Sequence, residues 1–191
     1  AREAAARTLL RALYSPEQLQ EEMTWFWMNH FSVFQGKANV RVLVGDYEEH
    51  AIRPHALGRF GELLGAVARH PAMLVYLDNS RNGVGHVNEN YARELMELHT
   101  LGVKGGYTQG DVQELARVLT GFHVREAEFQ FFPRRHDFGR KTLLGRPIRS
   151  SGERELAEAL ELLASHPSTS RFVSRKLAMH FVADDPPEAL V

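Results

Sequence analysis

Asn88-Glu89-Asn90-Tyr91-Ala92-Arg93-Glu94-Leu95-Met96-Glu97-Leu98-His99-Thr100-Leu101 is the stretch on which the reading of this chain turns. At about 100° per residue, Glu89, Asn90, Arg93, Glu94 and Glu97 fall in one arc of roughly 140°, and Tyr91, Ala92, Leu95, Met96, Leu98 and His99 fill the opposite one. That period predicts an amphipathic helix. Asn88 is a good cap for it, and Gly102 is suited to the residue just past its end. A charged face of this kind is usually a solvated one, with Glu89–Arg93 and Arg93–Glu97 as ordinary i,i+4 pairs. Its chemical alternative is a carboxylate cluster. Glu94 and Glu97 are i,i+3 neighbours whose oxygens can converge on a divalent cation. They can also divide into a general acid and a general base.

Helical signals extend outward in both directions. Upstream, Ala1 to Leu13 reads as helix. Ser15-Pro16-Glu17-Gln18 predicts a capping-box start for a helix to about Phe34. Gly36 to Gly45 reads as a loop, Asp46 to Arg53 as helix interrupted by Pro54, and His55 to Arg69 as its continuation. His70-Pro71 opens a further helical turn to about Asp78, and Asn79 to His86 is a polar, glycine-bearing loop. Downstream, Thr108 with Asp111 starts a helix to about Leu119. Ser151 caps a helix to Ser165, and Ser168 or Thr169 caps another to about Val182. Between these lies Phe122 to Ile148, where Phe129-Gln130-Phe131-Phe132 and Lys141-Thr142-Leu143-Leu144 suit short strands with a turn near Phe138-Gly139-Arg140. The expected fold is mainly α, an irregular assembly of about eight helices with one small β-hairpin around residues 122–148. Residues 1–191 read as one helical domain or part of one, with both ends cut from a longer chain.

Composition narrows the function classes. At 43% hydrophobic, the chain can bury a real core. A net charge of −1 gives no global field for nucleic acid or an anionic membrane. With no cysteine, disulfides, thiolate metal sites and a cysteine nucleophile are excluded. No apolar run approaches the roughly 18 residues of a membrane span. Gly83-Val84-Gly85 lacks the third glycine of a dinucleotide loop, Gly36-Lys37 lacks the rest of a phosphate loop, and no serine sits in a nucleophile elbow.

Ten histidines raise the question of metal. No His-Glu-x-x-His occurs, and no two histidines stand i,i+4 on one helix. His70 and His166 each precede proline, which places them at helix junctions. His30 lies on a helix rich in Trp and Phe, where a buried imidazole needs partners for its nitrogens. His136-Asp137 lies in the hairpin region. One cleft joining His30, Glu94, Glu97, His136 and Asp137 would hold a divalent metal, with Arg93 as electrostatic partner of the carboxylates. Arg134, Arg135, Arg140, Lys141, Arg146 and Arg149 form a local cationic run opposed only by Asp137 among acids. This is either a solvated hairpin or a contact for an anionic polymer, a sulfated or phosphorylated group, or an acidic partner.

Several segments together resemble a bacterial family, domain of unknown function 1800. They include Trp27-Met28-Asn29-His30-Phe31, Pro71-Ala72-Met73-Leu74, Leu77-Asp78-Asn79, Asn88 through Leu98, Thr100-Leu101-Gly102-Val103, Gly106-Tyr107-Thr108-Gln109, Leu119-Thr120-Gly121, His136-Asp137 and Arg175-Lys176-Leu177. The resemblance implies a longer bacterial protein, often exported and often encoded beside a protein similar to sulfatases, and it implies no activity. Two functions follow as expectations. One is a metal-dependent extracytoplasmic enzyme built on Glu94, Glu97 and Arg93 with His30 or His136. The other is a non-catalytic scaffold or binding module acting with a partner protein. There the polar motif is a structural network, and Arg134, Arg135 and Arg140 form the contact surface.

Overall fold

The structure, a computed structural model, describes residues 2–191. The helices are α1 (Arg2–Tyr14), α2 (Gln18–His30), α3 (Val40–Asp46), α4 (Phe60–Arg69), α5 (Pro71–Tyr76), α6 (Asn90–Glu97), α7 (Gln109–Val118), α8 (Arg154–Ala164) and α9 (Pro167–Phe181). Two antiparallel hairpins sit between α7 and α8: β1 (Phe122–Arg125) with β2 (Glu128–Phe131), and β3 (Thr142–Leu143) with β4 (Arg146–Pro147). The fold is mainly α, as the periodicity predicts.

One apolar cluster joins most of these elements. Leu63, Leu64 and Val67 of α4, Met73 and Leu74 of α5, and Tyr91, Leu95 and Met96 of α6 belong to it. Val112 and Leu115 of α7 and Leu156 and Leu163 of α8 complete its centre. Each such side chain contributes roughly 1.5–3 kcal/mol by leaving water. Tyr91, Ala92, Leu95, Met96 and His99 of the predicted apolar arc are buried, while Leu98, just past the end of α6, is exposed. By contrast, α1 buries no residue. It is tied on by polar contacts from Arg7 and Arg11 to Glu49 and from Thr8 to Glu48.

The boundaries differ from expectation in ways that have local causes. At Ser15, the hydroxyl takes the Glu17 N–H and the Gln18 amide turns to the Ser15 carbonyl, so no capping box closes and α2 begins at Gln18. It ends at His30, where the Tyr47 hydroxyl claims the Phe31 carbonyl at 2.8 Å. The stretch before Asp46, expected as loop, forms α3. The chain then widens into a π-type turn over Tyr47–Ile52 and a short tight turn over Arg53–His55. A widened turn shifts the carbonyl that the Pro54 ring would otherwise strike, and Pro54 has no N–H to contribute.

His70 and His166 stand at helix junctions, as their prolines suggest. Each caps the following helix, accepting at Nδ1 the N–H of Ala72 or of Ser168 at 3.1 Å. Neither Ser168 nor Thr169 caps α9, because the helix already begins at Pro167. Likewise, α8 starts at Arg154 without a side-chain cap from Ser151. The Thr108–Asp111 capping box of α7 forms as expected.

The hairpin region holds two hairpins. Phe129–Phe131 does not pair with Lys141–Leu144. It pairs with Phe122–Val124, and Thr142–Leu143 pairs with Arg146–Pro147. The reason lies in the turns. Glu126 and Ala127 both take positive φ, as do Leu144 and Gly145, which gives each hairpin a two-residue connection that matches strand twist.

Candidate functional site

The polar motif is first of all a set of asparagine amides that satisfy buried backbone. Asn79 Nδ2 donates to the carbonyls of Leu119 at 3.1 Å and Phe122 at 2.8 Å. Asn82 Nδ2 donates to the Ala116 carbonyl at 2.8 Å while its Oδ1 accepts the Asn88 N–H at 2.9 Å. Asn88 in turn donates to the Asp78 carbonyl and accepts the Asn90 N–H, so it supports the start of α6 even though Glu89 is the boundary residue. Asn90 Nδ2 donates to the Leu77 carbonyl at 3.1 Å. Asn79 and Asn82 thus pin the loop before α6 onto the α7 end and β1, while Asn88 and Asn90 tie the start of α6 to the segment that follows α5. An amide suits the task because it offers both donor and acceptor to a loop whose buried groups lack sheet or helix partners.

The charged face of α6 divides. Arg93 Nη2 donates to Glu89 Oε2 and to Gln109 Oε1, both at 2.9 Å. The expected second pair, Arg93–Glu97, is not among the ion pairs of the described residues. Glu97 Oε2 instead accepts from the Tyr107 hydroxyl at 3.4 Å. Glu94 is half-buried, and burial raises its pKa, with the Glu97 carboxylate adding to the rise and Arg93 opposing it. Helix α6 ends at Glu97, earlier than Leu101. There the N–H groups of Leu98 and His99 both turn to the Glu94 carbonyl.

His30 meets no carboxylate. It is buried, and its Nε2–H donates to the His99 carbonyl at 3.0 Å. That fixes the tautomer. Its Nδ1 lone pair accepts a hydrogen bond from Lys176 Nζ at 2.9 Å. Burial pushes the His30 imidazole down to about 4, with the Lys176 charge adding to the effect and the His99 carbonyl opposing it. His99 is pushed down to about 3 by burial, then by His30 and Lys176. Its buried Nδ1 has no hydrogen-bond partner. Sequence reasoning missed Lys176. The signal was available: Phe172, Lys176 and His180 stand at i, i+4 and i+8, one face of α9. In the fold that face meets α2 through Phe172–His30 and His180–Phe26 ring contacts.

His136 and Asp137 belong to a third network. His136 Nδ1–H donates to the Thr120 carbonyl at 2.7 Å, and Nε2 faces Glu155 Oε1 at 3.3 Å. Asp137 is bound through Nε and Nη2 of Arg117, at 2.8 and 3.3 Å, and this guanidinium holds its carboxyl down to about 2. Lys141 is not part of a solvated run. It is buried, lies 2.6 Å from Glu155 Oε2, and also donates to the carbonyls of Asp137 and Gly139. The five candidate metal ligands are therefore spread over three networks. Among the described residues, no three His, Asp or Glu side chains come together in a way that would hold a metal ion.

Arg134, Arg135 and Arg140 are exposed, and none of their guanidinium groups forms an ion pair among the described residues. Arg140 and Arg149 line a cavity of about 580 Å³ together with Phe138, Ile148 and Ser150, and the buried Lys141–Glu155 pair lies at its wall.

Fold and polar stitching together define a mainly helical protein with two small hairpins, its loops locked by buried amides. The chain belongs to the family described as protein of unknown function (DUF1800), whose model matches residues 1–191. No curated protein and no solved structure matches it. Among the described residues, no helix is long and apolar enough to cross a membrane.

Proposed function

We propose that this chain is a binding module, with its hairpin flank as the contact surface for an acidic segment of a partner protein. One observation carries the reading. Asp137, the only acid within the cationic run, is consumed by Arg117, so Arg134, Arg135 and Arg140 face water without an internal counter-charge. Exposed guanidinium groups of this kind suit carboxylates, which they bind in a fork. The amide network around Asn82 and Asn88 supports the same reading, since it gives the polar motif a structural task.

The test is fluorescence anisotropy with labelled hexaglutamate at low salt. Reversal of Arg134, Arg135 and Arg140 to Glu weakens binding by about tenfold or more, and raising the salt weakens the native interaction in parallel. The melting temperature changes little, because none of the three forms an ion pair among the described residues and only the Arg135 guanidinium packs on the fold, over Gly83. Equal binding by the native and reversed proteins overturns the reading.

A second reading rests on the raised carboxyl of Glu94 beside Glu97, which suits a proton-transfer pair. By carbon-detected NMR titration, Glu94 is expected to titrate above the ordinary glutamate value and to fall when Glu97 is replaced by Gln. An ordinary value in the native chain removes this second reading.

A further inference from the structure

The seam between α2 and α9 contains a cation that the fold leaves without an anion. Lys176 is half-buried, and its ammonium makes one hydrogen bond among the described residues, to the neutral Nδ1 of His30. Among the described residues its other two N–H groups have no hydrogen-bond acceptor, and the ammonium lies over the Phe172 ring, 5.5 Å from its centroid. Among the described residues no carboxylate pairs with it: on the same stretch of chain, Asp185 and Glu188 are taken by Arg175, and Glu22 across the seam is taken by His180 at 2.6 Å. Burial lowers the Lys176 pKa, the opposite of what an adjacent carboxylate would do.

The ammonium borders a cavity of about 320 Å³ lined by Trp25, Phe26, Asn29, His30, Met179 and His180. Trp25 and Met179 leave 56% and 45% of their surface in water, which makes the mouth of the cavity apolar. The site therefore combines one positive charge with no carboxylate partner among the described residues, a fixed imidazole behind it, and aromatic and thioether walls. That is the complement of a small molecule with one negative charge and a short apolar body. A phosphate dianion would call for further donors, and the size suits a ligand at the small end of the usual range.

We propose that the α2–α9 cavity binds a small apolar monocarboxylate, with the Lys176 ammonium as its counter-ion. His30 acts as a positioning residue. Its tautomer is set by the His99 carbonyl, so its lone pair aims the ammonium and leaves two N–H groups for the ligand. The carboxylate replaces the water that burial has stripped from the ammonium, and the ring of Phe26 and the lip formed by Trp25 and Met179 cover the apolar body.

The experiment is a two-dimensional amide NMR titration of the whole chain with hexanoate, benzoate and, as a neutral match, hexanamide. Hexanoate or benzoate is expected to shift the signals of Phe26, Asn29 and Met179 in a saturable way, with millimolar dissociation constants, while hexanamide binds about tenfold or more weaker. Lys176→Gln keeps a donor for His30 but no charge, and is expected to lose about tenfold in affinity for the acids and little for the amide. The comparison of hexanoate with hexanamide needs no variant, so it decides the matter even if Lys176→Gln is unstable. Absence of saturable shifts with either acid at about 20 mM overturns the proposal. So does equal affinity for acid and amide.

Discussion

Replacing Lys141 by methionine lowers the unfolding free energy by about 3–5 kcal/mol, the ordinary cost of leaving one member of a buried ion pair alone. Lys141 and Glu155 expose 1% and 4% of their side chains and sit 2.6 Å apart. Glu155 serves more than its lysine. It accepts the Gly152 N–H at 3.2 Å and faces His136 Nε2 at 3.3 Å. Loss of the ammonium leaves the buried Glu155 carboxylate without its counter-ion. Glu155→Gln is expected to cost a similar amount from the other side: the Gly152 acceptor survives, and the lysine is stranded. In a chain of this size each kcal/mol moves the melting temperature by about 2–4 °C, so either change is visible in a thermal scan. The double change Lys141→Met with Glu155→Gln is expected to recover part of the loss, because no unpaired charge then remains buried. Urea unfolding of the four proteins measures this. Single changes that each cost under about 1 kcal/mol would mean that water reaches the pair.

The contrast between Lys141 and its neighbours shows where the sequence is legible and where it is not. Helix periodicity reports burial well when one face is apolar. Tyr91, Ala92, Leu95, Met96 and His99 of the apolar arc are buried and only Leu98, past the helix end, is exposed, and the capping box of Thr108 and Asp111 forms as written. These signals are local, within one or two turns. The fate of a charge is not local. Lys141 stands in a run with Arg140, and nothing within the run distinguishes them. What separates them is Glu155, on a helix that follows the second hairpin. The same holds for Asp137, whose partner Arg117 lies 20 residues away, and for His30, whose partner Lys176 lies 146 residues away. The resemblance did place Asn29-His30 and Arg175-Lys176 among its segments, yet which segments touch is a property of the fold. Strand pairing failed for a related reason. Phe129–Phe131 has equal strand propensity toward either neighbour, and the choice fell to Glu126 and Ala127, two residues with no strong bias toward the positive φ they adopt.

Acidification from pH 7 to about 4.5 is expected to destabilise the chain through its buried histidines. The sign follows from linkage. A histidine whose folded pKa lies below its unfolded value binds its proton more readily when unfolded. Its contribution is therefore present above the ordinary histidine value of about 6.5, and is lost as the pH falls toward the folded pKa. His30 is held down to about 4 and His99 to about 3, both by burial first, and burial also lowers His70 and His123. For His30 alone the gap corresponds to about 3 kcal/mol once the pH reaches its folded value. His30 and His99 raise the cost of each other's protonation, so their contributions do not add. Asp137 acts in the same direction but later: held down to about 2 by Arg117, it withdraws its contribution only below the ordinary aspartate range, whereas the raised Glu94 carboxyl favours the folded chain as the pH falls. A His30→Gln variant isolates the first effect. Its amide can donate to the His99 carbonyl and accept from Lys176, but it takes up no proton. Urea unfolding across pH 7 to 4.5 is expected to show a shallower loss of stability in His30→Gln than in the native chain, with similar stability near pH 7. Identical slopes would mean that His30 titrates normally and is not sealed from water. A protonated His30 has no lone pair for Lys176 and sets two cations against each other across the α2–α9 seam. Amide signals of α9 should therefore lose exchange protection before those of α6, whose buried face carries no charge to repel.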